Sequence, residues 1–154
     1  MDELEKFIIR AKANAWVGLE SGGKKVPASK RNSLDTVFDQ GEFHYHDSFV
    51  GLSDFAGQEH ICHKNQAVWS MSYYGYLLQP ELVTGSEIGQ VLKAALGAMY
   101  REGRFLGGFR YLAGEFEYVD TNVGPYQRFS GKEEIRRKGA LVYELLYFGG
   151  QVRE

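Results

Sequence analysis

An internal repeat restricts the possible folds of this chain more than any other feature of its sequence. Residues 41–75 align with residues 114–149 when one residue is inserted in the second segment. The identical pairs include Tyr45/Tyr118, Asp47/Asp120, Gly57/Gly131, Glu59/Glu133, Tyr73/Tyr147 and Gly75/Gly149. A repeat of this length indicates that one supersecondary unit occurs twice in the chain.

A stretch with helical periodicity precedes each copy. Apolar residues recur at i, i+3, i+4, i+7 and i+11, which is typical of a helix with one face on a sheet. The two series are Leu4, Phe7, Ile8, Ala11 and Ala15, and then Ile88, Val91, Leu92, Ala95 and Met99. Asp2 is a candidate cap for the first helix, and Thr84 with Glu87, or Ser86, for the second. We expect glycines to end both helices.

Three segments with the alternation of β-strands follow the first helix. We predict strands at 42–48, 57–64 and 67–76, with a tight turn at 63–66 that corresponds to Lys138-Gly139 in the second copy. The predicted fold class is α+β, with internally duplicated αβββ units related by pseudo-two-fold symmetry. We expect an antiparallel sheet, continuous or in two half-sheets, with the two helices on one face. The prediction is a single domain, 1–154, with repeat one at 4–75 and repeat two at 88–149.

The copies differ most between the helix and the first predicted strand. Residues 24–40 of the first copy form a long polar, basic segment, whereas only residues 109–113 occupy the same place in the second. A surface loop with partial disorder is one interpretation. A lid or basic anchor over an acidic ligand is the other.

Charge and composition limit the partners. The net charge of −2 gives no basic excess for binding a nucleic acid backbone, so we expect no direct nucleic acid binding. No apolar run approaches the roughly 20 residues that a membrane helix needs, so we expect no membrane partner. The single cysteine, Cys62, excludes an internal disulfide, and the acidic N-terminus differs from a signal peptide. We therefore expect a cytoplasmic protein.

Acidic side chains share strand faces with apolar ones in both copies. Asp47 and Asp120 are candidates for bonding their own following turns, whereas Glu59 and Glu133 are equally compatible with scaffold and site. A carboxylate reserved for a ligand should face a cavity and lack a local partner. The candidate ligand-binding residues are Tyr45, Glu59, Trp69, Tyr73, Tyr118, Glu133 and Tyr147.

The sequence offers no convincing metal or cofactor site. His44, His46, His60 and His63 cluster around Cys62. At the positions that match His44, His46, His60 and Cys62, the second copy has the pattern of a solvated face: Glu117, Val119, Glu134 and Arg136. We therefore expect mostly exposed histidines, no metal and no cofactor. The glycine-rich residues 18–25 resemble a phosphate-binding loop but lack its final Ser or Thr and follow a helix. No catalytic motif such as GxSxG or HExxH is present.

The pattern Tyr45-x-Asp47-x3-Gly51-x3-Phe55-x-Gly57-x-Glu59, followed by a Tyr-rich strand ending in glycine in each copy, resembles an uncharacterised bacterial domain family. That family occurs alone or behind XRE-type helix-turn-helix segments. The resemblance implies a sensor-like or accessory role without a known reaction. We expect this chain to differ from the fused form by lacking DNA-binding helices before its first repeat helix.

These observations favour a non-catalytic small-molecule-binding or regulatory module with an unknown ligand. A protein-interaction or dimerisation module, such as a homodimer, is the alternative, and a large flat aromatic patch would favour it. A small enzyme that uses Glu59 or Glu133 as acid or base is the third hypothesis. A deep pocket around a carboxylate with a perturbed pKa would favour the enzyme.

Overall fold

The computed structural model describes residues 1–19 and 22–154, so Glu20 and Ser21 of the glycine-rich segment 18–25 lie outside the described residues. In chain order, the described elements are α1 (Glu3–Asn14), β1 (Lys24–Val26), β2 (Leu34–Gln40), β3 (Phe43–Gly51), β4 (Phe55–His63), β5 (Gln66–Leu77), α2 (Gly85–Arg101), β6 (Phe109–Ala113), β7 (Phe116–Val123), β8 (Arg128–Arg137) and β9 (Ala140–Gln151). The structure is therefore mixed α and β and consists mostly of sheet, as the sequence predicted. No helix in the described part of the chain is long and apolar enough to cross a bilayer.

The strands form a single antiparallel sheet in the order β1-β2-β3-β4-β5-β9-β8-β7-β6. On either side of the central pair, β5 and β9, each strand pairs with the next strand of the chain. Tyr73 lies opposite Tyr147 across the central pair, and Met71 lies opposite Gly149. The last strand of each half thus joins the halves into one continuous sheet rather than two half-sheets.

Each helix is followed by four strands that pair in chain order, β2–β5 after α1 and β6–β9 after α2, rather than by the three that the sequence predicted. The unpredicted strands are β2 and β6, and β1 adds a short edge strand. The interpretation of 24–40 as a surface loop with partial disorder was therefore wrong where β1 and β2 lie. The alternation of β2 is hard to recognise because Asp35, on its outer face, is buried by hydrogen bonds from Ser29 and Ser33.

Local sequence signals at the helix starts and one hairpin turn were read correctly. Asp2 accepts a hydrogen bond from the backbone N–H of Glu5 at 2.9 Å, and Thr84 forms a reciprocal capping box with Glu87. Lys64 and Asn65 both have positive φ, the conformation that a two-residue hairpin turn requires. The predicted C-terminal glycine holds for α2 only, where Gly103, with positive φ, directly follows the C-cap Glu102, whereas α1 ends at the C-cap Ala15 without an adjacent glycine.

The two helices cover the inner face of the sheet. Alternate strand residues point inward, and they form one core with the apolar stripes of α1 and α2. Phe7 of α1, for example, stacks on Phe43 of β3 with ring centroids 4.8 Å apart. The opposite, outer face has no helix over it in the described residues. Its centre presents Tyr74, Tyr76, Leu146 and Phe148, of which Phe148 is 62% exposed.

Two inward-facing glycines make room for tyrosines on the neighbouring strands. A Cβ added at Gly57 would lie 2.5 Å from the Tyr73 hydroxyl, and one added at Gly131 would lie 2.2 Å from the Tyr147 ring. Such distances are far below a van der Waals contact. Glycine at these positions therefore lets the two tyrosines lie across the adjacent strands.

We predict that Gly131→Ala lowers the free energy of unfolding by about 1–3 kcal/mol, because Tyr147 must leave its place over β8. Gly89→Ala is a suitable control, since an added Cβ at Gly89, inside α2, has no heavy atom within 4 Å. That change should instead stabilise the protein by up to about 1 kcal/mol through helix propensity. Urea denaturation of both variants measures the difference, and equal stabilities would contradict this account of Gly131.

Candidate ligand-binding cavity

A cavity of about 320 Å³ lies between the two helices and the inner face of the sheet. Its walls are largely apolar and include Trp16, Phe49, Phe55, Met71, Leu92 and Leu145. Its polar groups are Lys12, Tyr45, Asp47, Glu59, Tyr73, Tyr100 and Glu133. A mostly apolar cavity with a few converging polar groups is the usual form of a small-molecule site.

Strand register places the acidic residues in two pairs. Asp47 of β3 lies directly opposite Glu59 of β4, and Asp120 of β7 lies directly opposite Glu133 of β8. All four are buried on the inner face. Because like charges opposite each other in a sheet repel, and burial strengthens the repulsion, each pair needs a cation or a proton.

A lysine from α1 compensates the first pair. The Lys12 ammonium donates to both oxygens of Glu59, at 2.9 and 2.8 Å, and the Tyr45 hydroxyl donates to Oε1 at 2.5 Å. Both side chains of the ion pair are more than nine-tenths buried. Burial by itself would lower the pKa of Lys12, but the charge of Glu59 raises that pKa above its usual value. Lys12 is therefore charged.

Asp47 depends on a tyrosine from the far strand β5. The Tyr73 hydroxyl donates to Asp47 Oδ1 at 2.6 Å, reaching across Gly57. Burial and the nearby charge of Glu59 nevertheless raise the pKa of Asp47 to about 7. The prediction that this aspartate bonds its own turn was wrong, because β3 continues past it to Gly51.

The second pair has the same tyrosine but no lysine. The Tyr147 hydroxyl donates to Asp120 Oδ1 at 2.6 Å, as Tyr73 does to Asp47. Asp120 Oδ2 also accepts from the Asn122 amide at 3.3 Å, so this aspartate bonds both across the sheet and to the segment that follows it. The residue 84 positions after Lys12 is Leu96, which supplies no charge. Burial, and then the charge of Asp120, raise the pKa of Glu133 to about 8.

Glu133 is left incompletely bonded. Its Oε2 atom is buried and has no hydrogen-bond partner within residues 1–19 and 22–154. The hydroxyls of Tyr118 and Tyr143 are also buried without partners in the same described ranges. Buried polar groups in proteins normally have a partner. Glu133 therefore meets the expectation for a site residue in part, since it lines the cavity and one of its oxygens has no partner among the described residues.

Four of the seven candidate ligand-binding residues line this cavity: Tyr45, Glu59, Tyr73 and Glu133. The other three are in the core beside it. Trp69 packs between Phe105 and Phe129 and donates its indole N–H to the backbone oxygen of Tyr126 at 3.1 Å. Tyr118 is fully buried, and the Tyr147 hydroxyl donates its hydrogen bond to Asp120.

Sequence reasoning missed Lys12. Lysine is a common residue on the exposed face of a helix, and this one follows Ala11 of the apolar stripe, so its burial was not evident. The signal was its place four residues after Ile8, at the border of the stripe. Only the packing of α1 on β4 brings it to Glu59.

The histidines are half-buried rather than mostly exposed, so that prediction was wrong. His46 lies 2.6 Å from Asp35 on the outer face, in the cluster with Ser29 and Ser33, and His44 contacts Asp39. Acidic partners on the neighbouring strand hold these imidazoles against the sheet. Within the described residues, no group of three His, Cys, Asp or Glu side chains is arranged to hold a metal ion.

We predict that Lys12→Leu lowers the free energy of unfolding by about 3–5 kcal/mol near neutral pH, because it leaves Glu59 charged and buried beside Asp47. The loss should be smaller near pH 5, where a carboxyl takes up a proton instead, and Glu59→Gln should recover part of it. Lys6→Leu, which removes an exposed pair with Glu3, should change stability by less than about 0.5 kcal/mol. Equal losses for the two lysine variants would contradict a role for the Lys12 ion pair.

We also predict a pH-dependent effect of Glu133→Gln. The folded pKa of about 8 exceeds the ordinary 4.5, so the stability that this proton provides is complete below the ordinary pKa and is lost as pH rises through 8. Glutamine cannot ionise. The variant should therefore exceed the parent protein by on the order of a few kcal/mol above about pH 8.5 and show no such gain near pH 5.

The neighbouring Glu134 provides the control for this measurement. It is on the same strand but on the outer face, opposite Glu144 of β9. Glu134→Gln should not reproduce the gain at high pH. Urea denaturation at both pH values compares the variants, and a parallel shift of both would show that the effect does not come from the cavity.

Comparison with known proteins identifies a domain family whose model covers most of the residues that line the cavity. The family model described as "Domain of unknown function (DUF5680)" matches residues 47–152, more than half of the chain. The matched segment contains Asp47, Glu59, Asp120 and Glu133, whereas Lys12 precedes it. No curated protein matches the chain, and no solved structure matches it. The chain belongs to the DUF5680 family of domains of unknown function.

Proposed function

We propose that this chain is a non-catalytic small-molecule-binding module whose ligand occupies the cavity between the helices and the sheet. Two observations carry the proposal: Glu133 lines a largely apolar cavity, and its buried Oε2 has no hydrogen-bond partner among the described residues. A scaffold carboxylate would be expected to find a partner during folding. A carboxylate that binds a ligand finds its partner only in the complex.

The dimensions of the cavity support the same proposal. Its volume of about 320 Å³ is at the lower end of the range for sites that bind small molecules. Helix α1 contributes Lys12 and Trp16, and α2 contributes Ile88, Leu92 and Leu96. A bound ligand would therefore contact both helices and the sheet at once, which suits a regulatory, sensor-like role in the cytoplasm.

We further propose that the two halves derive from one duplicated unit with pseudo-two-fold symmetry, and that the first half then gained Lys12. The matching Tyr73/Asp47 and Tyr147/Asp120 hydrogen bonds support this origin. The difference at Lys12 and Leu96 supports the specialisation. Glu59 of the first half thereby receives hydrogen bonds from Lys12 and Tyr45, whereas Glu133 of the second half is left for a ligand.

An enzymatic role is a second candidate because two cavity carboxyls have pKa values near neutrality. Burial raises the pKa of Asp47 to about 7 and that of Glu133 to about 8. A general acid or base works best when its pKa is close to the working pH. Turnover of a bound compound that stops in Glu133→Gln, with binding retained, would favour this role over simple binding.

A dimerisation role is supported by the outer face. Tyr74, Leu146 and Phe148 are 50%, 45% and 62% exposed, and they lie close together on β5 and β9. An exposed apolar cluster is a common feature of protein interfaces. Sedimentation of the parent protein and of Phe148→Lys separates the hypotheses, because a dimer interface here would be disrupted by the charge while ligand binding in the cavity would not.

We predict that Gly89→Leu weakens ligand binding in the cavity without unfolding the protein. Gly89 lines the cavity and has open space where its Cβ would be, so the leucine side chain can fill the cavity. A fragment library screened by ligand-observed NMR should give binders to the parent protein. Those binders should weaken by at least about tenfold in Gly89→Leu, which corresponds to 1.4 kcal/mol.

The adjacent, exposed Gln90 provides the control. Gln90→Leu adds a leucine to the same helix turn outside the cavity and should bind the same fragments as the parent protein. The proposed function is wrong if the library gives no binder. It is also wrong if every binder has the same affinity for Gly89→Leu, because the ligand would then lie elsewhere.

A further inference from the structure

We propose that the cavity selects organic cations, in which a positively charged group is attached to an apolar body, and that Glu133 is the residue that contacts the charge. This inference rests on the proposed function and specifies its ligand class. It comes from three features of the cavity: its excess of carboxyl groups, the unpartnered oxygen of Glu133 and its aromatic walls.

The first feature is the imbalance of charge. Asp47, Glu59 and Glu133 line the cavity, and Lys12 is the one cationic residue among the described residues that lines it. The Lys12 ammonium already donates hydrogen bonds to both oxygens of Glu59. Within the described part of the chain, neither Asp47 nor Glu133 forms a salt bridge. When Asp47 and Glu133 ionise, the cavity therefore carries an excess of negative charge, which disfavours anions and favours a cation.

The second feature is the orientation of Glu133. The residue is only 9% exposed, it is part of the cavity lining, and its Oε2 has no protein partner among residues 1–19 and 22–154. In the second half, the position that corresponds to Lys12 is the apolar Leu96, which also lines the cavity. A ligand ammonium beside Leu96 would supply to Glu133 the charge that Lys12 supplies to Glu59.

The third feature is the aromatic lining. Trp16, Phe49, Phe55 and Tyr100 all contribute to the walls. The faces of aromatic rings attract cations, above all those that are weakly hydrated, such as alkylated ammonium groups. The apolar walls also favour an organic body over a small hydrated metal ion. Hard metal ions need several oxygen ligands, and no suitable group of three acidic, His or Cys side chains occurs in the described residues.

Binding of a permanent cation should release a proton from Glu133. Burial and the charge of Asp120 keep the free carboxyl largely protonated at neutral pH, since its pKa is raised to about 8. The charged or titratable groups that face it come from α1, α2, β4, β7 and β9. They are Lys12, Tyr100, Glu59, Asp120, Tyr118, Tyr143 and Tyr147. A ligand cation is a new charge in this set and favours the carboxylate, so affinity should rise with pH.

The test uses three probes of similar shape. Phenyltrimethylammonium has a permanent positive charge, tert-butylbenzene is its neutral isostere, and benzenesulfonate has a negative charge. Titrations monitored by NMR at about pH 6.5 and about pH 8.5 compare their affinities for the parent protein. At the higher pH we expect the cation to bind at least about tenfold more tightly than the neutral isostere, and the sulfonate to bind most weakly.

The pH dependence assigns the effect to Glu133. Affinity for the cation should be about tenfold higher at pH 8.5 than at pH 6.5, whereas affinity for tert-butylbenzene should not rise with pH. Glu133→Gln should lose the preference for the cation and part of the pH dependence, the rest belonging to Asp47. Glu134→Gln, on the outer face of the same strand, should behave as the parent protein does.

The outcomes separate this inference from the proposed function. If tert-butylbenzene or benzenesulfonate binds as tightly as the cation, the ligand class is wrong while binding in the cavity stands. The same conclusion follows if no probe binds at millimolar concentration but library fragments bind and are lost in Gly89→Leu. If neither the probes nor the library bind, the proposed function fails and this inference fails with it.

Discussion

The rest of the structure depends on the burial of acidic residues on the inner face of the sheet. Two cross-strand pairs, Asp47 with Glu59 and Asp120 with Glu133, lie where an apolar core would otherwise be continuous. Buried carboxylates are costly unless they are bonded, paired or protonated. The tyrosines that cross Gly57 and Gly131, the lysine on α1 and the cavity itself are all arranged around these carboxyl groups.

The two halves of the chain solve this problem differently. In the first half an ion pair and two tyrosine hydroxyls satisfy Glu59 and Asp47. In the second half the aligned helix position is Leu96, and Oε2 of Glu133 has no hydrogen-bond partner among the described residues. The difference between Lys12 on one helix and Leu96 on the other therefore accompanies the difference between a fully bonded glutamate and a candidate site. The cavity is lined by the Lys12–Glu59 ion pair of the first half and extends to Glu133 of the second half, which has no such ion pair among the described residues.

Much of the fold was readable from local patterns. The apolar stripes of Leu4 to Ala15 and Ile88 to Met99 identified both helices, and the caps at Asp2 and Thr84 fixed their starts. Strand β2 was missed because its outward Asp35 is buried by a loop and a histidine, so burial there does not follow hydrophobicity. The partners of Asp47 and Asp120 were missed because Tyr73 and Tyr147 come from a strand that is not adjacent to theirs.

The sequence by itself determined the mixed α and β composition, the paired acidic and tyrosine positions and the two amphipathic helices, because periodicity and capping are properties of neighbouring residues. Only the tertiary structure decided which carboxylate has a partner. Lys12 and Glu59 are 47 positions apart, and their contact arises from the way α1 packs on β4. The isolation of Glu133 follows from the same packing, since charge compensation in a core depends on distance in space rather than along the chain.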